Sequence, residues 1–227
     1  MCLLDCVVLL KKLIMRQYLK KLKFFVSYIL SLPFRLRYRK TFVFGKNCII
    51  RNCKVHYPKG GQVIIGNNVL LEGCYFFFES DDNRVEIGDN VKLYNTELIG
   101  RSVGNNLIII GKNTTTGACQ FEASEGTKLI VGEDCMFSHN IKVWAAAHHS
   151  ILNSDGIRIN PAKSINIGNH CWIGHSVFVL KGSVVPNGSI IGANSIYTSN
   201  YSDSNCIYVG TPAKKIKENI LWTRDLL

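Results

Sequence analysis

Acidic residues are scarce at the start of this chain. Residues 1–40 hold Asp5 as their one carboxylate against ten basic side chains (Lys11, Lys12, Arg16, Lys20, Lys21, Lys23, Arg35, Arg37, Arg39, Lys40), so nine of the eleven net positive charges sit there. The other 187 of the 227 residues are nearly neutral. Cations gathered in one segment, and not laced with aromatics along a strand face, point away from nucleic acid and toward membrane or subunit packing. C-x-x-C pairs are absent as well: nine cysteines stand at 2, 6, 48, 53, 74, 119, 135, 171 and 206. That spacing excludes a zinc ribbon and a disulfide framework and suits buried thiols in a reducing cytosol. Long apolar runs are missing too. The longest uncharged stretch of the N-terminal segment, Phe24 to Phe34, is eleven residues and carries Pro33, too short and broken to span a bilayer. The opening "MCLLDCVVLLKKLIMR" has neither the basic lead nor the small-residue cleavage site of a signal peptide. With 47% hydrophobic and 19% charged residues, disorder of the whole is excluded.

What is present divides into three regions: 1–40, 41–211 and 212–227. The first reads as an amphipathic helix. Ile14, Tyr18, Leu22, Phe25 and Ile29 recur at helical spacing, with Lys12, Arg16, Lys20 and Lys23 on the opposite side. Such a segment lies in an anionic membrane interface or packs on the rest of the protein. The third region, "PAKKIKENILWTRDLL", reads as a short capping helix, with Pro212 in its first turn and Ile216, Ile220 and Leu221 as a narrow stripe.

The middle region is an internal repeat. An aliphatic or aromatic residue precedes glycine at Gly45, Gly66, Gly88, Gly111, Gly132, Gly168, Gly174 and Gly192, at intervals of 21, 22, 23, 21, 36, 6 and 18. In the last stretch the period resolves to six: Ile167, Ile173, Val179, Val185, Ile191 and Tyr197, with Cys171, Val177, Ser183, Ser189 and Ser195 four places after the first five. A period of six with three units per 18-residue turn describes a triangular solenoid. Each hexad supplies a short strand whose large aliphatic residue stacks on its equivalent one coil away, and the small residue lets the corner close. Glycine and asparagine at "GNN", "GDN", "GKN" and "GNH" suit tight corner backbone. Intervals of 21–23 are then coils with a few residues bulging out.

The blocks "INIGNHCWIGHSVFVLKGSVVPNGSIIGANSIYTSN" and "VGTPAKKIK" resemble the hexapeptide-repeat acyltransferases. "HHSI" looks like the sugar O-acetyltransferases of bacterial capsule, exopolysaccharide and O-antigen clusters, relatives of the maltose and galactoside acetyltransferases. The resemblance covers residues 41–217. It implies an all-β solenoid, a single-stranded left-handed parallel β-helix, assembled as a homotrimer with active sites between subunits. It further implies transfer from acetyl-CoA to a sugar hydroxyl in surface polysaccharide biosynthesis, in the cytoplasm.

From Trp144 to Ala162 the hexad fails, yet Val131 to Ile167 is 36 residues, so the register resumes two coils on. A loop therefore leaves the solenoid here, and it carries His148 and His149. A neutral imidazole can take the proton of a sugar hydroxyl as it attacks a thioester, with no serine or cysteine nucleophile needed. The H-S-I match selects His149, the preferred base; counting from the preceding corner, as in the maltose and galactoside enzymes, selects His148, the other of the pair then touching the acceptor. Capsule-type relatives carry an acidic residue two before the histidine, where this chain has Ala147, so the orienting partner comes from elsewhere: Asp155, Glu122 or a backbone carbonyl. The resemblance assigns acetyl-CoA to Gly174, Ser176, Gly192, Ala193 and Ser195, with Pro212 in the G-x-P-A-K motif and Lys214 or Lys215 near the nucleotide phosphates. Relatives also place a lysine after the threonine of "YTSNYSD"; here either Lys181 compensates or phosphate affinity is weaker.

Other readings share the fold. A sugar-nucleotide N-acetyltransferase or a serine acetyltransferase would carry the same motifs, though the latter usually has a long, less basic N-terminal domain. His170 and His175, with Asp134 and His139 about two coils earlier, resemble the ligand spacing of γ-class carbonic anhydrases. They fall at corner positions and are read as surface or interface residues, with no metal expected.

Overall fold

Short strands of two to six residues, each followed by a corner and three to a turn over about seven turns, build three flat faces. The computed structural model describes residues 3–102 and 104–226, and the backbone alone at positions 3–13, 20, 21, 23 and 58. One parallel sheet of seven strands runs from Phe42–Phe44 to Val184–Val185, and a second of seven from Lys54–His56 to Ile196–Tyr197. The third has nine strands, starts at Ile49–Arg51 and ends in the antiparallel pair Ile207–Gly210 and Ala213–Lys217. Coil-to-coil register follows the repeat: Ile167 lies beside Val185, 18 residues on, and Val131 beside Ile167, 36 residues on. The segment between Trp144 and Ser164 is thus extruded without disturbing the pairing on either side.

The hexad sets the core. Ile167, Ile173, Val179, Val185, Ile191 and Tyr197 are at most 1% exposed, and so are Cys171, Val177, Ser183, Ser189 and Ser195. Earlier coils place aromatics in the same column: Phe76, Phe78 and Phe121 are buried, and Phe121 meets Phe137 edge-on at 5.3 Å. Asn47, Asn68, Asn90 and Asn113 hold left-handed backbone at one corner, and their amides form a ladder from coil to coil at 3.1, 3.2 and 3.0 Å. Asparagine tolerates that conformation, and stacking gives each amide a partner. The seven cysteines whose side chains are described are free thiols, six of them buried at inward corners; the side chains of Cys2 and Cys6 lie outside the described residues.

The N-terminal helix spans Leu3–Arg37. The face it lays on the first coil is not the stripe read from the sequence. Ser31 is buried, Phe34 and Tyr38 pack on the core, and Arg35 donates Nη2 to the Cys48 carbonyl at 2.7 Å while its guanidinium covers the Phe44 ring. Ile14, Tyr18, Leu22, Phe25 and Ile29 are 46–67% exposed. Of the basic face, Arg16 is exposed; the side chains of Lys12, Lys20 and Lys23 lie outside the described residues. Among the described residues no helix is long and apolar enough to cross a membrane.

The C-terminal region corrects the expected capping helix. After Gly210, at φ +106°, and Pro212, the chain reverses and Ala213–Lys217 pairs antiparallel with Ile207–Gly210. The free edge of the last coil offers unpaired backbone groups, and covering them outweighs a three-residue apolar stripe. Ile216 and Leu221 are accordingly exposed and Ile220 alone is buried. The remaining residues run back along a corner, where Trp222 stacks on His170 at 4.1 Å and Arg224 reaches Asp134 at 3.2 Å.

Candidate active site

The extruded segment starts from the strand Ile141–Trp144, which pairs with Cys119–Ser124 so that Trp144 lies beside Glu122, and Glu122 beside Ile99 of Glu97–Arg101. Phe121 and Ala123 are fully buried in the core, so the alternation of a strand points Glu122 outward. Glu122 is nevertheless only 2% exposed, because the loop folds back over it. Ala145 still donates its N–H to the Glu122 carbonyl at 3.0 Å, and Ala145 and Ala146 are small enough to lie flat against the sheet. His148 then takes left-handed backbone at φ 56°, which turns its ring inward.

The result is a buried carboxylate between an imidazole and a guanidinium. His148 Nε2 lies 2.7 Å from Glu122 Oε1, and Arg101 Nε lies 3.5 Å from the same oxygen. Neither contact is aligned as a hydrogen bond. Burial pushes the Glu122 carboxyl above its ordinary range, opposed by His148 and then Arg101, which favour the ionised form. The Arg101 guanidinium rests on the Phe77 ring, 5.0 Å from its centre.

Trp144 walls the other side of the imidazole. Its ring meets His148 at 6.0 Å and Phe178 edge-on at 4.9 Å. Its Nε1 donates to Gln120 Oε1 at 2.5 Å, and Gln120 Nε2 donates to Glu97 Oε2 at 2.6 Å. A three-coil chain of side chains therefore fixes the wall. With Nε2 toward Glu122, the His148 Nδ1 is the nitrogen left to accept a proton.

His149 sits differently. Its backbone N–H bonds the Ala147 carbonyl at 2.7 Å, its own carbonyl accepts from Asn160 Nδ2 at 2.8 Å, and the residue is exposed, as His148 is. Of the candidate orienting groups, Glu122 faces His148, while Asp155 is at the loop tip bonded to Asn153. The rest of the loop is a folded arm. Leu152 and Arg158 bridge antiparallel, Ile159 N–H bonds the Ile151 carbonyl, and Arg158 clamps Glu125 through two bonds of 2.8 Å. Lys181 Nζ caps the Asn160 and Pro161 carbonyls at 2.7 and 2.9 Å, which commits it to the arm. Ile151, Leu152, Ile157 and Ile159 are 56–62% exposed along the arm's outer side.

The residues assigned to acetyl-CoA line two successive coils and the terminal hairpin. Gly174 packs so closely that a Cβ would lie 2.8 Å from the Ala193 nitrogen, and Gly192 N–H bonds the Tyr208 carbonyl. Ser176 is at a left-handed corner, its Oγ accepting from Asn140 Nδ2; Ala193 is exposed. Ser195 is buried, its Oγ accepting from Gly210 N–H at 3.0 Å, which ties the coil to the hairpin. Pro212 and Lys214 are exposed, and Lys214 makes no ion pair among the described residues. Lys215 Nζ instead bonds Asp203 at 2.7 Å and Glu218 at 3.1 Å. A cavity of about 690 Å³ lies elsewhere, lined by residues 36–41 and Lys59.

The corner histidines separate. His170 Nδ1 is 2.7 Å from Asp134, and Nε2 is 3.1 Å from the Trp222 carbonyl; His139 and His175 give their backbone carbonyls to Ser176 and Asn194. Among the described residues no group of three metal-ligating side chains forms. Arg101, Gln120 and Trp144 were not singled out from the sequence. Their signal was arithmetic: Trp144 is 22 residues after Glu122, one coil of this repeat.

No family model matches the chain. It is 32% identical over 166 residues to the polysialic acid O-acetyltransferase of Neisseria meningitidis, spanning 73% of this chain and 76% of that protein. It is 26% identical over 198 residues to the putative lipopolysaccharide biosynthesis O-acetyl transferase WbbJ of Escherichia coli K12, spanning 81% and 88% of the two chains. Among solved structures, the polysialic-acid-specific acetyltransferase NeuO superposes with a TM-score of 0.57 at 27% identity, over 82% of this chain and 90% of that one.

Proposed function

The chain belongs to the hexapeptide-repeat acyltransferases that O-acetylate surface polysaccharides, and from that premise we propose that His148 is its general base and Glu122 the group that orients it. The protein is an O-acetyltransferase, and its acceptor is a sugar hydroxyl. The observation that carries the assignment of the base is the 2.7 Å approach of His148 to Glu122, a carboxylate only 2% exposed.

In the proposed reaction the acceptor hydroxyl donates to His148 Nδ1. As its oxygen attacks the thioester carbonyl of acetyl-CoA, the proton passes to the ring and the C–S bond then breaks. The imidazolium returns the proton to the departing thiolate, so the products are the acetyl ester and free coenzyme A. Glu122 stabilises the transient positive charge, and Arg101 keeps Glu122 ionised at that moment. In this reading His149, one residue on, contacts the acceptor.

Acetyl-CoA is held in this reading along Gly174, Ser176, Gly192, Ala193 and Ser195, with Lys214 the cation available to its phosphates. The exposed apolar side of the arm, Ile151, Leu152, Ile157 and Ile159, supports a contact with a second subunit, and this reading takes the assembly to be a homotrimer with sites between subunits. The free thiols and the use of acetyl-CoA fit a cytoplasmic enzyme, and the exposed apolar and basic helix fits contact with the membrane's inner face. Incubating the protein with acetyl-CoA and a panel of sugars, sugar nucleotides and polysaccharides tests the function. Thiol release matched by an ester on the acceptor is expected; amide formation on an amino sugar instead would favour the N-acetyltransferase reading.

A further inference from the structure

Between Asp5 and Glu72 the sequence contains fourteen lysines and arginines and not one acid. The fold gathers part of that charge around a single cavity. Where the helix meets the first coil, about 690 Å³ is lined by Arg37, Arg39, Lys40 and Lys59, with the backbone of Gly61 and the side of Tyr38 as walls. Arg39, Lys40 and Lys59 are exposed, and among the described residues none of the four cations makes an ion pair. Arg35 next to them is already committed to Cys48 and Ser31. Three of the cations come from the chain leaving the helix and the fourth from the next turn, so a ligand held by all of them bridges helix and solenoid.

Beside this cavity runs the unpartnered face of the helix, with Phe25, Ile29 and Leu36 at 61, 46 and 68% exposure. Two kinds of occupant could cover it, a bilayer or a second copy of the chain. Joining copies through this helix would bring together clusters of like charge with no acid nearby to offset them, whereas an anionic surface supplies the missing countercharge.

We propose that the cavity formed by Arg37, Arg39, Lys40 and Lys59 is a binding site for the phosphate of an anionic phospholipid headgroup, which locks the solenoid's orientation while the helix's apolar face lies in the interface. The inference rests on the membrane contact proposed above and adds a stereospecific anion site to it.

The test is flotation of the full-length protein with two vesicle preparations, phosphatidylcholine alone and phosphatidylcholine with 30 mol% phosphatidylglycerol, a composition of about one anionic lipid in three chosen to give a strong surface potential. Two variants accompany it: Arg39→Gln/Lys40→Gln/Lys59→Gln and Phe25→Ser/Ile29→Ser. Wild type should bind the anionic vesicles and largely ignore the neutral ones, and the triple variant should bind them about a hundredfold more weakly while keeping its melting temperature and its turnover of acetyl-CoA on a soluble acceptor. The helix variant should lose vesicle binding yet still be stabilised by soluble glycerol 1-phosphate. If wild type ignores both vesicles, the membrane contact falls and the lipid site with it. If the triple variant floats within threefold of wild type, or neutral vesicles bind equally well, the cavity assignment alone is overturned and the membrane contact stands. Loss of self-association in the helix variant, with no vesicle binding by wild type, would instead assign the face to a second copy.

Discussion

His148 Nε2 approaches Glu122 Oε1 to 2.7 Å across one coil of the solenoid, 26 positions apart in sequence. The carboxylate stands on a rigid strand and the histidine on the loop above it, so the strand register determines how the imidazole is aimed.

Glu122→Gln separates aiming from binding. The amide keeps the shape but not the charge, so kcat is expected to fall ten- to a hundredfold, within the range for losing a metal- or base-orienting partner, with little change in KM. Steady-state kinetics with the sugar and acetyl-CoA varied in turn check both.

The same substitution should stabilise the protein. Burial holds the Glu122 carboxyl above its ordinary range, so the folded state binds that proton more tightly than the unfolded chain. Its contribution is therefore fully present at acid pH and is lost as pH rises through the folded value. The melting temperature of Glu122→Gln should exceed wild type at pH 8, and the gap should close toward pH 4. A gap that widens on acidification would contradict the burial argument.

Arg158→Ala should release the arm. Its two 2.8 Å bonds to Glu125 are the charged clamp at the arm's base, and they hold the Glu125 carboxyl below its ordinary range. That contribution is present above the unfolded carboxylate value and lost as pH falls through the folded one. Limited proteolysis between residues 151 and 159 should accelerate in the variant at neutral pH, and in wild type only on acidification.

Ile173→Ala should cost about 2–5 kcal/mol in urea unfolding, as for other buried isoleucines. Ile173 is fully buried at a central hexad position, stacked between Phe137 and Ile191 of the neighbouring coils. Lys214→Ala should raise KM for acetyl-CoA severalfold with kcat kept, whereas Lys215→Ala, whose ammonium is held by Asp203 and Glu218, should change KM less and stability more.

The solenoid was legible because one inward column decides everything: a large residue every six and a small one four later leave no other arrangement of Ile167 to Tyr197. The extruded loop was legible for the same reason, through the 36-residue gap that keeps register. The tail misled because Ile216, Ile220 and Leu221 satisfy a helical stripe locally, while the open strand edge at Ile207–Gly210 is a tertiary demand that no local pattern displays. The helix stripe was read correctly as apolar, but the surface it leaves for the first coil is Ser31, Phe34 and Tyr38, chosen by shape and by Arg35's bond to Cys48. Arg101 and Trp144 escaped notice because their roles come from neighbours one coil away, visible only once coil lengths of 22 and 23 are converted to strand register.

The central claim is that His148, aimed by Glu122, takes the acceptor's proton. Single-turnover acetyl transfer by His148→Ala and His149→Ala, compared with wild type at saturating acetyl-CoA, tests it most directly. His148→Ala is expected to lose about 10²- to 10⁴-fold in rate while binding acetyl-CoA normally, and His149→Ala to retain most of the rate with a raised KM for the sugar. A His148→Ala enzyme that turns over like wild type, or a His149→Ala enzyme that alone fails, would contradict the account.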